Sequence, residues 1–138
     1  MRAPIRLRDF IEDRDGWLYA VSTYDNRDRV GCVLRYMPDP AGERIRTSGK
    51  RYHKFDFEEA FDWIGAHKPE YLDVILRVPQ EDVTRVYRPE EEIGKIAERN
   101  WKVRDLVRIL DLPPGGLGCT GSLLVGLENE KSDIDLVT

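Results

Sequence analysis

The spacing of apolar positions changes several times along the chain. Residues 17–24 (WLYAVSTY) are aromatic and β-branched with few breakers, which predicts a strand. Asp25-Asn26-Arg27-Asp28 is turn chemistry. Residues 30–37 (VGCVLRYM) then predict the returning strand of a β-hairpin. Pro38-Asp39-Pro40-Ala41-Gly42 ends it, because proline cannot donate to a ladder. Residues 41–54 read as a polar loop or a loose hairpin. From Asp56, a suitable N-cap, the period lengthens: Phe57, Ala60, Phe61 and Ile64 recur at helical spacing, with Glu58 and Glu59 in the first turn. Pro69 stops this helix, and residues 71–78 (YLDVILRV) predict a third strand.

Pro89 suits the first position of a further helix, and Glu90, Glu91 and Glu92 complement its positive end. Ile93, Ile96, Ala97, Val103, Leu106, Val107 and Leu110 follow a period near 3.6, with a break expected near Asn100. Pro113-Pro114-Gly115-Gly116 closes the helix. The fold class expected is α+β. An N-terminal hairpin-and-helix domain, residues 1–85, is of unassigned role, and a second segment, residues 86–138, leads through a helix into a glycine-rich stretch.

Of the 138 residues, 41% are hydrophobic and 35% charged, enough for a core without disulfides or a structural metal. No apolar run approaches the ~18 residues of a membrane span. No apolar stretch follows the basic residues 1–8, so a signal peptide is not expected. A cytoplasmic location with no membrane partner follows. Cys32 and Cys119 are far apart and in no CxxC pair, which argues against a zinc finger. His53 and His67 lack an evident acidic or cysteine partner in sequence. Trp17, Trp63 and Trp101 fall in predicted elements and are expected to pack in the core. The net charge is −4, with basic residues in excess in the first part of the chain and acids in the second.

Chemistry concentrates in residues 118–138. Gly118-Cys119-Thr120 leads to Gly121-Ser122, and Leu123, Leu124, Val125 and Leu127 predict a short helix. A strand, a small-residue turn and a helix start can present N–H groups and a hydroxyl to a phosphate. Asp133-Ile134-Asp135-Leu136-Val137 alternates as a strand does. The two carboxylates then share a face at a spacing of about 6.6 Å, with Ile134 and Leu136 turned inward. Paired hard oxygen ligands suit magnesium, with water and substrate phosphates completing its shell.

Gly121-Ser122, then Gly126, then Ser132-Asp133-Ile134-Asp135-Leu136 resembles the signature of the nucleotidyltransferase superfamily, the DNA polymerase β-like fold. The Thr-Gly-Ser and Ser-Asp-Ile-Asp-Leu versions are most similar to those of a group of archaeal predicted nucleotidyltransferases. The resemblance spans roughly residues 90–138. It implies an enzyme that transfers a nucleoside monophosphate from a nucleoside triphosphate to a hydroxyl acceptor. Gly121 and Ser122 would bind phosphate. Asp133 and Asp135 would be catalytic, holding two Mg²⁺ ions that activate the acceptor and stabilise pyrophosphate. Residues 86–138 would then be the N-terminal part of the core, a helix–strand–turn–helix–strand unit.

Two departures accompany the resemblance. Leu127-Glu128 stands where many such proteins carry a basic residue, with Lys131 the nearest cation. A third carboxylate, expected on a later strand, has no place within three residues of Asp135. The chain is therefore expected to be a fragment, or to be completed by a partner or by oligomerisation. A different reading starts from Arg44, Arg46, Lys50 and Arg51, a basic run interleaved with Tyr52 and Phe55. It could track RNA. The chain would then be an RNA- or protein-binding module with a degenerate nucleotidyltransferase segment. The plainer account of the same run is a solvated hairpin.

Overall fold

The computed structural model describes residues 3–138; Met1 and Arg2 of the basic N-terminal segment lie outside the described residues. The fold is α+β. Its main sheet is antiparallel, with strands β1 (Phe10–Asp13), β2 (Leu18–Val21), β3 (Arg29–Pro38), β4 (Arg44–Ile45), β5 (Arg51–Lys54), β6 (Arg77–Pro79) and β7 (Val83–Tyr87). Their order is β4-β5-β3-β2-β1-β7. β3 pairs with β2 along one edge and with β6 and β5 at the two ends of the other. Helix α1 (Phe57–His67) starts at Asp56, whose carboxylate accepts from the Glu59 amide at 2.8 Å.

The strands have two apolar faces, and alternation divides most of their buried residues between them. Ile11, Tyr19, Val21, Val30, Cys32 and Leu34 face α1, where Ala60 and Ile64 meet them. Phe10, Leu18, Tyr36, Tyr52 and Tyr87 face the opposite way, toward Leu124, Val125 and Leu127. Leu34 and Tyr36 are two apart and would ordinarily share a face. They do not, because Leu18 pairs with Tyr36 while Tyr19 pairs with Leu34, which leaves Arg35 as an extra residue. This β-bulge re-aims Tyr36 through the sheet, as bulges beside functional segments do.

The α-helical part follows β7. Helix α2 (Pro89–Arg99) and helix α3 (Trp101–Leu110) are separated at Asn100, whose side chain accepts from the amides of Lys102 and Val103. Both pack on a two-stranded antiparallel sheet of β8 (Gly118–Thr120) and β9 (Asp135–Val137). Ile96, Val103, Cys119 and Leu123 form this third cluster, joined by Ile134 and Leu136. Gly118 permits the close fit, since a Cβ there would lie 2.6 Å from the Cβ of Pro89.

Several expectations hold: the β2–β3 hairpin, the helix capped by Asp56 and the break at Asn100. The segment 41–54 is a true hairpin, β4–β5, in which Arg44 pairs with Tyr52. The strand expected over residues 71–78 is mostly absent. Pro69–Tyr71 is a 3-10 turn, Leu72 and Leu76 form one isolated bridge, and only Arg77–Pro79 joins the sheet. Val74 is 92% exposed at the tip of that loop. Strands β1 and β7 had no predicted counterpart. The division at residues 85/86 falls inside β7, and the second cluster takes residues from both sides of it.

Candidate functional site

β8 delivers the glycine-serine turn. Thr120 is fixed by its hydroxyl, which donates to the Arg8 carbonyl at 2.7 Å. The next residue, Gly121, has φ +76°, a left-handed conformation that side-chain-bearing residues avoid. The turn then closes on itself: the Leu124 amide donates to the Gly121 carbonyl, Gly126 to Leu123, and Leu127 to Ser122. The helix expected to begin near Leu123 is thus a single 3-10 turn, Gly121–Leu123. Gly126, at φ +72°, prevents its continuation. One turn carries no helix dipole of consequence, so anion attraction here would have to come from side chains and individual amides.

β9 brings one of the two carboxylates directly to that turn. Asp135 pairs with Thr120 across the ladder. Its Oδ2 lies 2.8 Å from where a Cβ on Gly121 would sit. The predicted juxtaposition of turn and carboxylate is therefore present, and Gly121 is needed for both backbone angle and space. Asp133 lies ahead of β9 and not in the paired strand. It follows a tight turn in which the Asn129 amide donates to Ser132 Oγ and the Lys131 amide to Asn129 Oδ1. Asp133 and Asp135 are both exposed, while Ile134 between them packs inward. The alternation read from sequence holds across the strand boundary.

Both carboxylates are oxygen donors with no ion pair among the described residues, a donor chemistry that suits a hard divalent cation. No group of three or more His, Cys, Asp or Glu side chains among the described residues could hold a metal ion. These two aspartates would thus supply part of a ligand set.

Ser122 faces the main sheet. Its hydroxyl lies beside the phenol of Tyr36, the residue that the β3 bulge turns toward it. Burial raises the Tyr36 pKa, opposed by the charges of Arg44 and Arg35. Cys119 is buried one residue before Thr120. Burial first, and then the charge of Asp135, push its thiol up to about 11, so it is a packing residue and not a nucleophile.

Three arginines hold the back of the turn by its carbonyl oxygens. Arg99 Nη2 donates to Leu123 at 2.6 Å, Arg46 Nε to Val125 at 3.0 Å, and Arg44 Nη1 to Leu127 at 2.8 Å. Arg46 also donates to the Tyr87 hydroxyl and lies over the Tyr52 ring. Arg44 and Arg46 of the basic run 44–51 are therefore engaged with the turn. Lys50 and Arg51 are exposed, and Arg51 donates to the Gly42 carbonyl. Glu128, the departure noted in the sequence, pairs with Arg99 at 3.1 Å. Arg99 and Tyr36 were not singled out in the sequence. No local motif marks them, since a bulge positions one and a neighbouring helix the other.

Two further expectations change. Trp101 is 63% exposed at the start of α3, because the apolar stripe of that short helix lies on other positions. His53 does have acidic partners, with Nε2 at 2.8 Å from Glu59 and Nδ1 at 3.5 Å from Glu43.

No family model and no solved structure matches this chain. The chain is 33% identical over 159 aligned residues to an uncharacterized protein of Methanocaldococcus jannaschii, MJ1086. That match covers 96% of this chain and 47% of the other, so the chain spans about half the length of the relative it matches. Among the described residues no helix is long and apolar enough to cross a membrane.

Proposed function

We propose that this chain carries the front part of a nucleotidyltransferase site, which transfers a nucleoside monophosphate from a nucleoside triphosphate to a hydroxyl acceptor. The observation that supports the reading is the contact between Asp135 and Gly121. It joins the two halves of the Gly-Ser…Asp-x-Asp pattern, which sequence alone could place only in order.

Asp133 and Asp135 would hold Mg²⁺, and the ion would supply charge neutralisation for the phosphates and activation of the acceptor hydroxyl. The chain's own residues have separable roles. Gly121 leaves room for the Asp135 carboxylate and lets a phosphate approach the backbone. Ser122 offers a hydroxyl to the same phosphate, oriented by the Tyr36 phenol. The Arg44, Arg46 and Arg99 contacts keep the turn in place while the triphosphate binds. Further carboxylate ligands and a pocket for the base would come from another segment, as the greater length of the M. jannaschii relative allows, or from a partner.

The test is transfer of radiolabel from an α-labelled triphosphate mixture to a pool of hydroxyl acceptors, with Mg²⁺ present. Mg²⁺-dependent triphosphate binding by the 138-residue chain is measured in parallel. The expected result is Mg²⁺-dependent binding that Asp135→Asn weakens at least tenfold while thermal unfolding is unchanged. Labelled acceptor, where formed, should disappear in the same variant. Binding that ignores both Mg²⁺ and Asp135→Asn would overturn the reading, as would the absence of any triphosphate binding.

A further inference from the structure

A groove runs along the outer side of the clamped turn, between the β4–β5 hairpin tip and α2. It is lined by Arg46, Arg85, Lys95 and Arg99, with Glu92 the one acid on its wall and Tyr87 at its base, and has a volume of about 280 Å³. The four cations come from four different places: the hairpin, β7, and two successive turns of α2. Lys95 and Arg99 are four apart, so they project from one helix face about 6 Å apart along the axis. Glu92 is shared by Arg85 at 3.3 Å and Lys95 at 3.6 Å, so it compensates only one of them. Arg46 has no acidic partner among the described residues; its bonds go to a carbonyl and a phenol. Thr47, Ser48 and the backbone of Gly126 complete the wall with neutral groups.

Arg99 also lines a second recess, of about 190 Å³, together with Trp101, Lys102 and Ser132. Glu128 and Glu130 are its acids; the first is paired with Arg99 and the second is exposed. Trp101 is exposed, with the Lys102 ammonium 5.9 Å from its ring. Ser132 and Ile134, the residues on either side of Asp133, are part of its lining. Arg99 thus joins a cationic groove beside Leu124, Val125 and Gly126 to a recess that holds an exposed indole and the two neighbours of Asp133, and together they make a track.

We propose that this track binds a single-stranded RNA. Lys95, Arg85, Arg46 and Arg99 would follow its phosphates, and Trp101 would stack one unpaired base. A cationic groove alone fits any polyanion. The exposed indole favours a strand whose bases are unstacked, because an unpaired base can stack on its face. The direction of the track is what gives the proposal its consequence. Where the transfer reading also holds, the acceptor would be an RNA end led to Asp133 and Asp135. RNA binding itself does not rest on that reading.

The experiment is fluorescence anisotropy of a 5′-labelled oligouridylate of about 12 nucleotides, within the range of common single-strand sites. It uses the 138-residue chain in EDTA without nucleotide, so that failure of the transfer chemistry cannot affect it. Affinity should fall as salt rises, with a log–log slope near −0.7 for each phosphate neutralised, thus about −2 to −3. Lys95→Glu and Arg85→Glu should each weaken binding roughly tenfold and flatten the slope by about one contact. Trp101→Ala should weaken binding roughly tenfold and leave the slope unchanged. Lys95 and Trp101 are exposed, so these variants test recognition and not folding. Absence of salt-dependent binding would overturn the proposal, and so would indifference to these substitutions. Equal affinity for a duplex of the same length would overturn its single-stranded part. Equal affinity for polyglutamate would replace RNA with an acidic peptide.

Discussion

Gly121 is the residue at which backbone and site meet. Its φ of +76° is strained for any L side chain, and a Cβ would press on the Asp135 carboxylate. Gly121→Ala should therefore lower stability by about 1 kcal/mol or more through the backbone alone. It should also displace Asp135, which would be seen as loss of Mg²⁺-dependent triphosphate binding beyond that explained by unfolding. The urea midpoint and a binding isotherm on the same variant separate the two effects. One ladder position away, Cys119 makes a different prediction. With its thiol held near 11 by burial and by Asp135, the folded chain should resist iodoacetamide at pH 8 and react promptly once unfolded. Rapid labelling of Cys119 at pH 8 in folded protein would contradict its placement in the core.

At the scale of elements, local chemistry carried most of the legible information. Asp56 and Asn100 are caps whose side chains accept backbone amides; the first helix start could be read from residue type and spacing, the second only as a break near Asn100. Asn100→Ala should cost about 1 kcal/mol, measured as a lower urea midpoint with helical content lost first from α3. Elements that depend on distant partners were less legible. β1 and β7 are short strands of mixed polarity that pair with each other through a bulge near Asp13, and neither has a turn signal adjoining the other. Residues 71–78 have strand composition, yet the sheet offers an edge only to Arg77–Pro79, where β3 is free to pair. The candidate site divides in the same way. Gly121, Ser122, Asp133 and Asp135 form a linear motif and could be found in sequence. Tyr36, Arg44, Arg46 and Arg99 reach the turn from β3, the hairpin and α2, and their relation to it exists only after folding.

For the whole molecule, the second apolar cluster is decisive. Tyr36, Tyr52 and Tyr87 of the sheet are covered by Leu124, Val125 and Leu127 of the turn. The sheet thus cannot bury its second face without the C-terminal segment, and the turn cannot hold its shape without the sheet. Unfolding of the 138-residue chain should be one cooperative transition. Tryptophan fluorescence and far-ultraviolet circular dichroism should give coincident midpoints in urea. Two separated transitions would mean that residues 1–85 and 86–138 fold independently.

The three carbonyl-bound arginines have an electrostatic consequence. Glu128 compensates Arg99, but Arg44 and Arg46 bring charges with no acidic partner among the described residues to the carbonyls of Leu127 and Val125, so that side of the turn is biased positive. To an anion arriving by diffusion it behaves as a fixed electrode. Its attraction is set when the chain folds, requires no rearrangement on arrival, and fades only as added salt shortens the reach of the field.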